Sequence, residues 1–173
     1  ILNCEDKSPG LLRYAVCSGN AEIIKICSDL KSTTFIGTLG LSIEYHHQAI
    51  SEWLIEAKKQ TCNDQISIQN CFRFCNFEMF IYMLKEGVNA NFFLIEATHY
   101  SNLLAVLFLL RIKGINVNFQ DTKKGFTPLH YACLNGDVNI VKLLLNMNSI
   151  QINRRTISFF NIFVHNGVFF FHF

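Results

Sequence analysis

The sequence predicts a mainly α protein, an α-solenoid of stacked helix–turn–helix units with at least one short β-hairpin finger. Three observations carry that class. Residues 125–145 encode two helices, each with its own start or stop signal. A small residue recurs at Ala15, Ser42, Cys71, Ala97 and Ala132, each time ahead of an apolar helical run. A Gly followed four residues later by Asn recurs as Gly87…Asn91 and Gly114…Asn118. A lone helical pair cannot bury its apolar face, so a recurring skeleton implies stacked neighbours.

The units follow in chain order. The first places Arg13-Tyr14-Ala15 and Ser18-Gly19 ahead of Glu22-Ile23-Ile24-Lys25-Ile26-Cys27. The second opens at Gly37-Thr38-Leu39-Gly40, a turn before a helix that lacks the lysine and spacing of a phosphate loop. It carries Ser42, then Ile50 to Ile55, with Trp53 on the apolar face as a core residue. The third sets Cys71 before Met79 to Leu84, and the fourth sets Ala97 before Ala105 to Leu110. The run from Leu103 to Leu110 is far short of the ~18–20 residues that span a bilayer, and reads as a buried helix.

The fifth unit is the clearest. Thr127 can cap its first helix with a hydroxyl, and Pro128 sits at the first helical position, where a missing N–H costs nothing. Gly136 can take the left-handed conformation that ends this helix, and Asp137 can cap the next, Ile140 to Leu145. The spacings between the small residues are 27, 29, 26 and 35. Only the last leaves room for a projecting finger, placed at Asn116 to Thr127.

The stretch Thr127-Pro128-Leu129-His130, with Gly136 and Ile140-Val141-Lys142-Leu143-Leu144-Leu145, resembles the ankyrin repeat, whose period is about 33 residues. The first four units resemble degenerate ankyrin-like pairs. The phrase from Ile43 to His47 with Trp53 to Glu56 looks like the divergent arrays expanded in some single-celled eukaryotes. On this division residues 1–156 form an ankyrin-like domain of about five units. Residues 157–173 form a Phe-rich degenerate or truncated tail, in which Asn161 to Gly167 echoes His130 to Gly136.

Composition bounds the function classes. Half the residues are hydrophobic and 16% are charged, which excludes a disordered chain. Residues 111–173 hold seven basic side chains against Asp121 and Asp137, and so favour an acidic partner surface. Seven cysteines, an odd number set in or beside apolar runs, suit reduced thiols in a cytoplasmic, reducing setting. The absence of an initiating Met and of a leader pattern suggests a fragment of a longer protein.

Candidate chemistry is sparse. His130 and Cys133 lie three apart on one helix, but the resemblance implies that His130 bonds Thr127 and that Cys133 packs as a small hydrophobe. Cys71, Cys75, Cys62 and His46-His47 lack the paired spacing of a zinc site. No catalytic residue, metal site or cofactor is expected, and no basic run interleaved with aromatics points to nucleic acid. The resemblance implies a non-catalytic protein-interaction scaffold that binds through a concave groove and hairpin tip. The positions that ankyrin repeats vary between partners fall on Thr122, Lys123, Lys124, Phe126, Leu134 and Asn135. The alternative is a regulatory or targeting segment of a larger enzyme or membrane protein.

Overall fold

The structure, a computed structural model, describes residues 10–30, 34–156, 161–165 and 168–172. Cys4 and parts of the Phe-rich tail (Phe159, Phe160, Phe173) lie outside the described residues. The chain forms two compact units, Ile1–Glu86 and Gly87–Phe173.

The first unit contains three helix pairs. They are α1 (Gly10–Ser18) with α2 (Ala21–Ser28), α3 (Thr38–Glu44) with α4 (Gln48–Glu56), and α5 (Gln65–Arg73) with α6 (Phe77–Lys85). The first helix of each pair packs on the next, α1 on α3 and α3 on α5. The core runs through Val16, Ile43, Leu54, Phe72, Phe80 and Met83, all essentially inaccessible to solvent. The second unit holds α7 (Ala90–His99) with α8 (Leu103–Leu109), and α9 (Pro128–Leu134) with α10 (Val138–Leu145). Here α7 packs on α9, over Phe93, Leu94, Leu109, Ile140 and Leu144.

All five small residues used to set the register are buried, from 0 to 3% exposed. Each pair turns in the same way. A left-handed residue stands immediately before the N-cap of the second helix: Gly19, His46, Cys75, Ser101 and Gly136. In four of the turns the next backbone N–H reaches back five residues to the small residue's carbonyl. These bonds are His47 to Ser42, Asn76 to Cys71, Asn102 to Ala97 and Asp137 to Ala132, at 2.8–2.9 Å. That is the Schellman closure, which satisfies carbonyls a helix end leaves open. Only two of the five left-handed positions are glycine, because the closure and the stacked neighbours hold the others there despite a cost of about 1–2 kcal/mol per residue.

Asparagine does the stitching. Asn20, Asn76 and Asn102 cap the second helices by accepting from backbone N–H groups. Asp137 stands at the same position without a side-chain cap bond, which corrects the role expected of it. Asn76 also donates to Ile43 O at 2.9 Å in the buried interior. His47 donates from Nε2 to Cys17 O at 3.0 Å, and Asn70 to Gly40 O at 2.9 Å. Each of these bonds joins one helix pair to the preceding one.

Three other expectations change. Along α8 only Ala105, Val106 and Leu109 are buried, while Leu104 is 74% exposed, so the apolar run is a one-sided helix. Residues 116–127 carry no strand. The segment is a loop, organised around one side chain that is described below. The β structure lies in the tail instead. There β1 (Asn161–His165) and β2 (Val168–His172) pair antiparallel, Phe163 opposite Phe170. Where the sequence echoes His130 to Gly136, the described residues Asn161–His165 form a strand, in keeping with the β preference of Ile, Phe and Val, and Asn166 and Gly167 lie outside the described residues.

Candidate partner-binding loop

Between α8 and α9 the chain runs through Gly114, at φ 86°, into a loop built around Asp121. Its carboxylate accepts four hydrogen bonds. Oδ1 takes the backbone N–H of Lys123 at 2.8 Å and of Lys124 at 2.6 Å. Oδ2 takes the N–H of Phe126 at 2.9 Å and the hydroxyl of Tyr131 at 3.2 Å. Backbone bonds from Asp121 N to Phe126 O and from Gly125 N to Asp121 O close the loop. Partial burial opposes the charge, but the four donors outweigh it and hold the carboxyl below its ordinary range. Burial, and after it the same carboxylate, drives the Tyr131 hydroxyl far upward, so it stays a donor.

The loop runs directly into α9. The Thr127 side chain accepts from His130 N, and Thr127 N donates to His130 Nδ1 at 3.1 Å, a reciprocal capping box. Thr127 Oγ1 lies 2.6 Å from the same nitrogen. An Nδ1 that accepts a backbone N–H carries no proton, so the ring is the neutral tautomer protonated at Nε2. Burial lowers the pKa of His130 below its ordinary value of 6.5, partly offset by the Arg154 backbone and the Asp121 charge. A histidine depressed in the folded state stabilises the fold above the unfolded pKa, and that share is lost as pH falls. The melting temperature is therefore expected to drop between pH 7.5 and 5. His130→Gln, which keeps a neutral capping-box acceptor, should show a flatter profile over the same range. Equal slopes in a pH series of thermal melts would exclude His130 as the source.

The six residues expected to meet a partner divide into two groups. Thr122, Lys123 and Lys124 are exposed at the loop tip, and Leu134 is 57% exposed at the end of α9. Lys124 Nζ sits 5.4 Å from the centre of the Phe126 ring. Phe126 is a correction. It is buried with Ile95 and Tyr131 against Phe119, stacked on His130 at 5.5 Å and edge-on to Tyr131. Its ring builds the floor of the loop because the Asp121 bond to its N–H turns it inward. Asn135 is exposed as a residue, but its amide is engaged, donating to Thr98 O at 3.0 Å and His99 O at 2.8 Å. It fastens α9 to the end of α7.

Sequence reasoning counted Asp121 only as a charge and missed its role. The available signal was an Asp two and three residues ahead of backbone donors in a Lys-Lys-Gly turn, the pattern of an Asx turn. A second asparagine relay supports the loop from below. Asn91 Oδ1 accepts from Asn116 N at 2.8 Å, and Asn118 Oδ1 accepts from Gln151 N at 2.7 Å. These are the asparagines four residues after Gly87 and Gly114, so the recurring mark in the sequence is a tether between successive connectors.

Three of the buried cysteines hold their thiols protonated. Cys133 is buried and pushed up to about 11, and burial also raises Cys71 and Cys62. His46 and His47 each donate from Nε2 to a backbone carbonyl, of Phe74 and Cys17. Among the described residues no group of three His, Cys, Asp or Glu is placed to hold a metal ion, and no helix is long and apolar enough to cross a membrane.

Comparison with known proteins places this architecture. A family model described as Domain of unknown function (DUF3447) matches residues 4–83. Delta-latroinsectotoxin-Lt1a of Latrodectus tredecimguttatus is 41% identical over 56 residues, 32% of this chain and 4% of the toxin. The transient receptor potential channel pyrexia of Drosophila melanogaster is 25% identical over 97 residues, 56% of this chain and 10% of the channel. The chain thus spans a tenth or less of the length of either relative. No enzyme family is indicated. A second family model, described as Ankyrin repeats (3 copies), matches residues 69–156, half of the chain, and it covers the Asn tethers, the Asp121 loop and the Thr127–His130 capping box; the chain belongs to the ankyrin repeat family.

Proposed function

We propose that this chain is a non-catalytic binding scaffold, within residues 1–156, that docks a protein partner with an acidic surface on the Asp121 loop. The observation that carries the reading is the way the loop is held. Four hydrogen bonds to one carboxylate fix the backbone beneath Thr122, Lys123 and Lys124 while leaving those side chains in solvent. A loop ordered before binding avoids the entropy cost of ordering on binding. Leu134 adds an exposed apolar contact at the end of α9, and the basic excess of residues 111–173 extends the attraction.

The test is a three-way comparison of wild type, Lys123→Glu/Lys124→Glu and Leu134→Ala. Charge reversal is expected to slow association with the captured partner by about tenfold or more at low salt, with the difference shrinking as salt rises. Leu134→Ala should speed dissociation without changing the salt dependence. Unaltered capture by both variants, with melting temperatures intact, would move the site off this loop.

The similarity to a stretch of the channel pyrexia supports a second reading, that this is an interaction segment of a larger membrane protein. The two readings are compatible, since a segment of that kind also works by binding. A cytoplasmic, reducing setting suits either, given seven cysteines, an odd number set in or beside apolar runs.

A further inference from the structure

Resting on the reading of the Asp121 loop as a partner-binding site, we infer that Gln120 clips the segment after α10 to that loop. The clip builds one four-cation edge of Lys123, Lys124, Arg154 and Arg155, and this edge receives an extended peptide segment carrying a run of Asp or Glu.

Gln120 is half-buried beside the loop and uses both ends of its amide. Nε2 donates to Gly125 O at 2.7 Å and to Arg155 O at 2.8 Å, and Oε1 accepts from Arg154 Nε at 3.0 Å. Carbonyls only accept and a guanidinium only donates, so the orientation of this amide is fixed. Two backbone positions, one next to Lys124 and one at Arg155 itself, are thereby held against the same nitrogen. Arg154 is bound a second time, from Nη1 to Gln151 Oε1 at 2.6 Å. Asn118 holds the same segment further back, donating to Ser149 O and accepting from Gln151 N, both at 2.7 Å.

Lys123, Lys124, Arg154 and Arg155 are all exposed. Residues 111–156 contain two acidic side chains, Asp121 and Asp137. The Asp121 carboxylate is occupied by its four donors, and Asp137 stands at the start of α10, outside both segments. The edge therefore stays positive. Two pairs of cations from two segments suit a run of carboxylates, whereas Lys123 and Lys124 alone would serve one. Exposed ion pairs contribute little singly, so a site of this kind works through several acting together. A segment already clipped in place also avoids the cost of ordering on binding.

The test is binding of a fluorescein-labelled deca-glutamate peptide to the full chain, read by fluorescence anisotropy. Wild type is expected to bind it at low salt. Arg155→Glu leaves the clip intact, since only the Arg155 backbone takes part in it, and should weaken binding about fivefold, less as salt rises. Gln120→Ala should weaken binding as Arg155→Ala does. Adding Arg155→Ala to Gln120→Ala should cost little more, because Gln120 is a positioning residue that acts through the segment it holds. Fully additive losses, wild-type affinity in Arg155→Glu, or no binding by wild type each overturn the inference. If Lys123→Glu/Lys124→Glu lowers partner capture while Arg155→Glu does not, the loop reading stands and the four-cation edge falls. A labelled decathymidine bound more tightly than deca-glutamate overturns it in favour of nucleic acid.

Discussion

Phe80→Ala is expected to destabilise the first compact unit by about 3–5 kcal/mol, the cost of removing a fully enclosed aromatic ring. Phe80 is 1% exposed, edge-on to Phe72 at 5.4 Å and tilted against Phe77 at 5.3 Å. The substitution therefore removes apolar area and two ring contacts together, in an interior with no partner to fill the space. Urea unfolding followed by circular dichroism is the measurement. The midpoint should fall, or the helical signal of this unit should be lost outright. A midpoint within error of wild type would show that the third pair is loosely packed. That pair lacks the Thr-Pro-Leu-His phrase, so the result bears on whether an eroded repeat can keep a true core. The burial of Phe72, Met79, Phe80 and Met83 says that it does.

Asp121→Ala should cost about 3 kcal/mol, because a buried donor left unpaired carries a penalty of roughly 1–3 kcal/mol. The four bonds do not contribute equally. The N–H groups of Lys123 and Lys124 are at the exposed tip and can turn to water. Phe126 N and the Tyr131 hydroxyl belong to buried residues and cannot do so without moving the ring beneath them. Asp121→Asn should be milder, since an amide oxygen still accepts but brings no charge. The carboxyl is held below its ordinary value of 3.8, so its contribution is present above that pH and fades as pH falls through the depressed range. This window lies below the His130 window, and the two can be separated in one pH series. If both variants melt like wild type and the loop amides exchange at unchanged rates, Asp121 is not the organiser of the loop. The functional reading makes a linked demand: Asp121→Ala should weaken partner capture while leaving Lys123 and Lys124 in place.

The exposure of the loop tip was legible in the sequence, and the misreadings around it have a common cause. Thr122, Lys123, Lys124 and Leu134 are exposed, as local pattern beside a capped helix implies. Phe126 was misassigned because a ring at the loop–helix junction can face either way, and the choice was made by Asp121, Tyr131 and Ile95 together. Asn135 looked free because its acceptors, Thr98 and His99, lie 37 and 36 residues away. Residues 116–127 carry no strand, and there one carboxylate takes the N–H groups of Lys123, Lys124 and Phe126.

What the sequence determined by itself are the features whose causes act over a few residues: the capping box at Thr127 and His130, the proline at the first helical position, the left-handed glycine at 136, and the small residues that put five helix pairs into register. Together they carry the resemblance to the ankyrin repeat. The tertiary structure decided the rest. It held His46, Cys75 and Ser101 in a conformation their side chains disfavour. It turned recurring asparagines into tethers across 25 and 33 residues, and it selected which loop residues face solvent. The division is physical: a hydroxyl reaching an N–H three residues away is written into the chain, whereas a contact between pairs exists only once two pairs have stacked and excluded water from between them.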